Sequence, residues 1–178
     1  MDEALAYSLS ESDLRKIVGE KIPIIEYYQL NDIYDINHIL DYGCCIILFE
    51  LKKDNGHWLF LQRVNKSTLE FFDSYSNTPD AELKWIDVNK RKKLHEDFPK
   101  LSELMINSKY KKIVYLKHRL QKWSNKIATC GRHVAVRCLA RKIPLKKYEE
   151  TLRFPKGKLK GLSPDQLVVI STFPIIGH

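Results

Sequence analysis

The sequence predicts an α+β fold: a single domain over 1–178 with a small, mostly antiparallel central sheet flanked by helices. Three observations carry that expectation. The 178 residues fit one compact domain large enough to bury a core without metals or disulfides. Short β-type runs separated by turn signals fill the middle of the chain, and apolar residues at helical spacing fill both ends. The organisation follows as an N-terminal helical part over 1–42, a sheet with an inserted helix over 43–121, and a helical part over 122–178.

Taken in order, Ser10-Glu11-Ser12-Asp13 before Leu14, Ile17 and Val18 predicts a capped short helix stopped by Gly19. Residues 22–27 read as an extended connector, because Pro23 disfavours helix in the residue before it. Asn31 or Asp32 is expected to cap a second short helix through Ile36, Ile39 and Leu40. Residues 44–51 are an apolar strand, 52–56 a turn, and 57–64 the returning strand. A second turn at Asn65-Lys66-Ser67 leads to a third strand over 68–73. Leu94, Phe98, Leu101, Leu104 and Met105 give 88–107 a helical period that Pro99 should break or kink. A fourth strand, Ile113-Val114-Tyr115-Leu116, falls within 112–121. Residues 130–141 form a core helix with Val134, Ala135, Cys138 and Leu139 on one face, and helices over 145–152 and 164–173 complete the chain.

Composition narrows the function classes. Hydrophobic residues are 44% and charged residues 29%, which excludes disordered and low-complexity chains. The longest apolar run, Cys44 to Phe49, has strand length and falls far short of the ~20 residues of a membrane span. Acidic residues stand near Met1 where a secretory signal would be basic, so an unsecreted, soluble protein is expected, with its four cysteines as free thiols. No C-x-x-C pair is present, and no metal is expected. The net charge of +8 permits nonspecific phosphate binding; an excess of Lys over Arg beside many Ile and Asn is also what an AT-rich genome produces.

Four residues form a chemical constellation. Gly56-His57-Trp58 opens one strand and Phe71-Phe72-Asp73-Ser74 ends the next, so His57 and Asp73 fall at the same sheet edge. A carboxylate there fixes the imidazole tautomer and stabilises imidazolium. Thr129-Cys130-Gly131 precedes the core helix, placing Cys130 in its first turn, where unpaired N–H groups and the helix dipole favour a thiolate. Gly131 leaves room for a substrate backbone. Gln121, between a strand and a loop, can donate to a developing oxyanion together with the Cys130 N–H. Other histidines fit less well as bases. His133 shares a helix with Cys130 and has no evident carboxylate, His118 sits on a strand between Lys117 and Arg119, and His95 reads as a solvated helix face. A Cys130–His133 metal pair lacks further ligands.

The order His57, Asp73, Gln121, Cys130, with Gly-His-Trp, Phe-Asp-Ser and Thr-Cys-Gly around its members, resembles the adenain-like and SUMO-protease-like cysteine peptidases. Asp73-Ser74-Tyr75-Ser76 followed by Pro79-Asp80, and Ser163-Pro164-Asp165-Gln166-Leu167-Val168, are most similar to the maturation proteases of virophages and Polinton-type elements. The resemblance covers about residues 10–173. It implies Cys130 as nucleophile at the start of the core helix, His57 as general base, Asp73 as its orienting partner, Gln121 in the oxyanion hole, and Trp58 shaping the cleft. One departure stands at Val114-Tyr115-Leu116-Lys117-His118, where relatives often carry Tyr-Asn.

The function so implied is a viral cysteine endopeptidase that processes capsid or core precursors at glycine-containing sites during maturation. It would act as a monomer in the virion, host cytoplasm or virus factory, with no membrane partner and no required cofactor. The absence of an appended targeting domain favours this reading. The alternatives are an isopeptidase acting on a ubiquitin-like modifier and, more distantly, a noncatalytic basic DNA-binding protein. Lys90-Arg91-Lys92-Lys93 and Lys109, Lys111 and Lys112 could hold the enzyme on DNA as an activator, or simply form a solvated face. Cys44 and Cys45, in a core strand, offer no site for a disulfide-linked activating peptide.

Overall fold

The computed structural model describes residues 1–52 and 55–178; Lys53 and Asp54, at the tip of the expected first turn, lie outside them. A five-stranded sheet runs in the order β1 (Ile24–Glu26), β2 (Cys44–Lys52), β3 (Asn55–Asn65), β4 (Thr68–Phe72), β5 (Lys112–Tyr115). The β2–β3–β4 core is the expected antiparallel meander, and the two edge strands join it in parallel.

The sheet is buried on both faces, which explains why β2 reads as a continuous apolar run from Cys44 to Phe49. Side chains alternate across a strand, so Cys44, Ile46, Phe60 and Phe72 join one core, and Cys45, Ile47, Phe49, Leu59 and Phe71 join the other. The first core is completed by α2 (Glu11–Val18), α5 (Cys130–Leu139), α6 (Leu145–Arg153) and α7 (Pro164–Ile176). The second is covered by two 3₁₀ turns (Tyr27–Asp32 and Ile36–Ile39) and by α4 (Lys100–Ile106). A short α1 (Asp2–Ala6), an α3 (Val88–Leu94) and two further 3₁₀ turns, Ala81–Trp85 before α3 and Gly157–Leu159 before α7, complete the described elements.

Capping chemistry placed several boundaries where the sequence put them. Ser10 and Asp13 form the capping box of α2, and Gly19 ends that helix. Ser163 and Gln166 do the same for α7, with Pro164 at its first position. Pro99 separates α3 from α4 instead of kinking one helix.

Elsewhere the structure corrects the sequence reading. The connector at 22–27 contains a true strand, because Ile24–Glu26 finds a parallel partner in β2. The expected second helix is two 3₁₀ turns. Asn31 and Asp32 lie inside the first, and Asp35 caps the second by accepting from the Asn37 N–H at 2.8 Å. The strand within 112–121 ends at Tyr115, so His118 lies beyond it in a loop. Leu139 is exposed and not on the core face of α5. In its place the helix buries Arg132, His133 and Arg137, each with polar partners.

Candidate active site

β3 and β4 pair with Phe60 opposite Phe72, so Asp73 emerges just past the end of β4 beside the opening residues of β3. There His57 Nε2 and Asp73 Oδ1 are 2.6 Å apart. The same carboxylate accepts the backbone N–H of Tyr75 at 2.9 Å and of Asn77 at 3.0 Å, so the turn after β4 holds it in place. Burial alone would raise the Asp73 pKa. The hydrogen bond and charge of His57 and the two N–H donors outweigh it and hold the group below its ordinary value.

Cys130 is the first residue of α5, as the Thr-Cys-Gly motif predicted. It is free, and at 7% exposure it is buried. Burial disfavours its thiolate, yet a hydrogen bond and charge from His57, with the backbone N–H groups of Trp58 and Gly131, bring its pKa below the ordinary 9.0. For His57, 3% exposed, burial pushes the pKa down; Asp73 and Cys130 together override it and hold the pKa well above 6.5. Since Nε2 is engaged by Asp73, Nδ1 is the ring nitrogen left for the thiol. A thiolate–imidazolium pair oriented by a carboxylate is the arrangement that nucleophilic acyl transfer requires.

Gln121 is tied to the same sheet edge through Ser74. Its N–H donates to the Ser74 carbonyl at 3.0 Å, and its Oε1 accepts from the Ser74 hydroxyl at 2.7 Å. With Oε1 so occupied, the amide N–H₂ is the free end. It makes one long contact, 3.5 Å, to the Ile127 carbonyl in the loop leading to Cys130.

Trp58 and Gly131 both pack against the N-terminal segment. Trp58 is buried and donates its indole N–H to the Leu9 carbonyl at 3.0 Å. A Cβ at Gly131 would lie 3.0 Å from Leu9 and 3.1 Å from Trp58. The missing side chain of Gly131 therefore accommodates the N-terminal segment packed over the helix start.

Sequence reasoning missed what covers the pair. Tyr75 stacks on His57 with centroids 5.2 Å apart, Trp85 meets it edge-on at 6.2 Å, and Trp123 packs on both Tyr75 and Trp85. Trp123, 59% exposed, forms the outer ring of this cover. Tyr75 and Trp85 come from the segment after β4 and Trp123 from the loop before α5, with no shared period, so no local pattern announced them. A groove of about 1030 Å³ lies elsewhere, between β5 and α6, lined by cations that include Arg63, Lys112, Lys117, Arg141, Lys142 and Lys146. None of the constellation residues lines it.

The remaining histidines are placed as follows. His133 is fully buried and does have a carboxylate, Asp165 Oδ1, at 3.0 Å; the expectation of a surface or carboxylate-free position is overturned. Asp165 also accepts from the Thr129 hydroxyl and, at 2.9 Å, from the Lys122 N–H. It thereby pins the start of α7 to the start of α5, which is why Ser-Pro-Asp stands where it does. His118 is engaged by Glu149 and Arg153. His95, exposed, caps α3 with a left-handed backbone instead of lying on its face. One further cluster brings a His57 nitrogen and carboxylate oxygens of Asp73 and Glu82 within 4.8 Å. The direct His57–Asp73 hydrogen bond already occupies two of those three groups.

The Asp165 cluster predicts an acid limb in stability. Burial raises the Asp165 pKa, but His133, Thr129 and the Lys122 N–H outweigh it, so the folded value lies below the ordinary 3.8. A depressed carboxylate stabilises the fold above its unfolded pKa and loses that contribution as pH falls through the folded one. Melting temperature should fall as pH drops through about 4 and below, and Asp165→Asn should flatten that part of the profile. An unchanged profile in the variant would contradict the assignment.

No family model matches the chain. It is 32% identical over 166 residues to uncharacterized protein V9 of Sputnik virophage, and the alignment spans 93% of this chain and 94% of that protein.

Proposed function

The chain belongs to the same family as the Sputnik virophage protein V9, and we propose that it is a cysteine endopeptidase that processes capsid or core precursors during virion maturation. The observation that carries this reading is the buried Cys130–His57–Asp73 series, in which Asp73 is hydrogen-bonded to His57, His57 and Cys130 favour each other's charged forms, and the thiol stands at a helix start. The Cys130 thiolate attacks the scissile carbonyl carbon, forming a C–S bond and an oxyanion. The free amide of Gln121 and the Cys130 N–H stabilise that oxyanion. The His57 imidazolium gives its proton to the amine as the C–N bond breaks, leaving a thioester. Neutral His57 then takes a proton from water, whose oxygen attacks the thioester, and the acid product and the thiolate–imidazolium pair are released. These side chains supply the whole reaction, and no cofactor is required.

The setting is the virion or virus factory in the host cytoplasm. Among the described residues no helix is long and apolar enough to cross a membrane. The test is to expose a lysate and glycine-rich peptides to the protein and to map new N-termini by mass spectrometry. Cuts beside internal glycines in structural proteins support maturation. Cuts confined to modifier tails after a terminal diglycine support the isopeptidase reading, and no cuts at all remove the peptidase reading.

DNA is a proposed activator. Lys90, Lys92, Lys93, Lys109, Lys111 and Lys112 are exposed. Cleavage of a large substrate should rise with added DNA at low salt and lose that gain at high salt, because phosphate contacts release counterions. Equal rates with and without DNA at low salt would sink this part.

A further inference from the structure

Glu82 lies in the 3₁₀ turn Ala81–Trp85, on the side of the aromatic cover that meets the constellation. Its side chain is 0% exposed, and neither carboxylate oxygen has a hydrogen-bond partner in another described residue. Buried carboxyl groups without partners are costly, and a fold retains them rarely. This one brings an oxygen within 4.8 Å of a His57 ring nitrogen and of an Asp73 oxygen. Cation and anion at that distance, away from water, are strongly coupled.

We propose that Glu82 is a positioning residue that acts through His57, its carboxylate charge holding the imidazolium form and so extending the thiolate–imidazolium pair toward alkaline pH. The inference rests on the peptidase reading of the site and deepens it. The groups facing His57 are Asp73 and Tyr75 from the turn after β4, Cys130 from α5, and Glu82 and Trp85 from the 3₁₀ turn. Glu82 in turn feels Asp73 and Asp80, and is felt by Glu96. Asp73 stays ionised through the relevant range, and Tyr75 stays neutral because burial first, then the charges of Cys130 and Asp73, raise its pKa. Glu82 is different. Burial pushes its pKa up to about 7, with His57 pulling it down and Asp73 pushing it up. It therefore gains its charge near neutrality, and above that point a second carboxylate faces the imidazolium.

The sign is fixed by electrostatics. An added negative charge raises the pKa of His57, so removing it lowers the pH at which imidazolium loses its proton. The experiment measures the rate of Cys130 alkylation and of peptide cleavage from pH 5 to 10 in the wild type, Glu82→Gln and Glu82→Leu. The expected result is an alkaline limb of cleavage displaced downward by about one pH unit in both variants. Glu82→Leu should also melt no lower than the wild type, since it removes an unpartnered buried acid. A purely structural residue would give the opposite pattern, a lower melting temperature with an unmoved limb, and that would overturn the proposal. If the wild type itself shows no Cys130 thiolate below pH 8, the peptidase reading fails first. A normal wild-type profile with an unmoved limb in Glu82→Gln and Glu82→Leu defeats only the role of Glu82.

Discussion

Replacing Cys130 by alanine is expected to abolish peptide cleavage, lowering kcat by at least about 10⁴-fold, while leaving the fold and its melting temperature close to those of the wild type. The thiol is the only group in the constellation that can form the covalent bond; His57, Asp73 and Gln121 act on that bond but cannot make it. Alanine at this helix start removes one sulfur from a site already roofed by Tyr75, Trp85 and Trp123, so the loss belongs to chemistry and not to collapse. His57→Ala should fall by about 10³-fold, because the thiolate loses both its counter-charge and the donor that protonates the leaving amine. The two losses should not add. Once either member is gone the other has nothing to act with, and the double variant should match the Cys130 variant alone. Steady-state kinetics on one peptide substrate, with circular dichroism as the control for folding, checks all three. Residual cleavage in Cys130→Ala at more than a hundredth of the wild-type rate would contradict the assignment.

The largest expected effect on stability lies on the opposite end of the nucleophile helix. Arg137 is fully buried in α5 and donates from Nε to Glu70 Oε1 at 2.6 Å and from a terminal nitrogen to Oε2 at 2.7 Å. Glu70 on β4 also accepts from Gln62 at 2.9 Å, and the guanidinium stacks against Tyr148 of α6 at 5.0 Å. This two-point bond locks α5 onto the meander that carries Asp73, so it fixes the helix relative to the sheet edge where the constellation forms. Glu70→Ala should cost about 3–5 kcal/mol, because it strands a buried cation. That is a large part of the ~5–15 kcal/mol that holds a domain together. Replacing both partners, Glu70→Leu with Arg137→Met, should recover most of the loss, since no uncompensated charge remains. Urea denaturation of Glu70→Leu, Arg137→Met and their double variant measures the coupling, with Glu70→Ala alongside. A loss below ~1 kcal/mol in Glu70→Ala would show that the pair does not carry the helix–sheet contact.

The sequence was informative wherever chemistry is local. Ser10 with Asp13 and Pro99 each act within a few residues, and each marked a helix boundary. The antiparallel meander was legible because its turn at 65–67 is short and its strands are apolar runs bounded by turn residues. That short connection also let the sequence place His57 beside Asp73 before any coordinates. What stayed hidden depends on contacts between distant segments. The parallel partners of Ile24–Glu26 and Lys112–Tyr115 are set by crossovers of many residues, so the first edge strand looked like a connector and the pairing of the second was not legible. The buried faces of α5 were misread for the same reason: Arg137 and His133 become core residues only because Glu70 and Asp165 arrive from elsewhere. The packing of Leu9 against Gly131 was hidden too, because nothing local reveals it. Glu82 had no signal beyond its own apolar neighbour Leu83. Its meaning appears only once the turn folds against His57.

The most direct test of the central claim is a competition among the four cysteines. The protein is treated briefly with limiting iodoacetamide at pH 6, where a thiol with the ordinary value near 9 is ionised only to about one part in a thousand. Modification at each cysteine is then counted by mass spectrometry, in the wild type and in His57→Ala. Cys130 is predicted to be modified first, ahead of Cys44, Cys45 and Cys138, and to lose that advantage in the His57 variant. Four cysteines reacting alike, or a Cys130 whose rate is indifferent to His57, would contradict a thiolate–imidazolium pair and with it the peptidase reading.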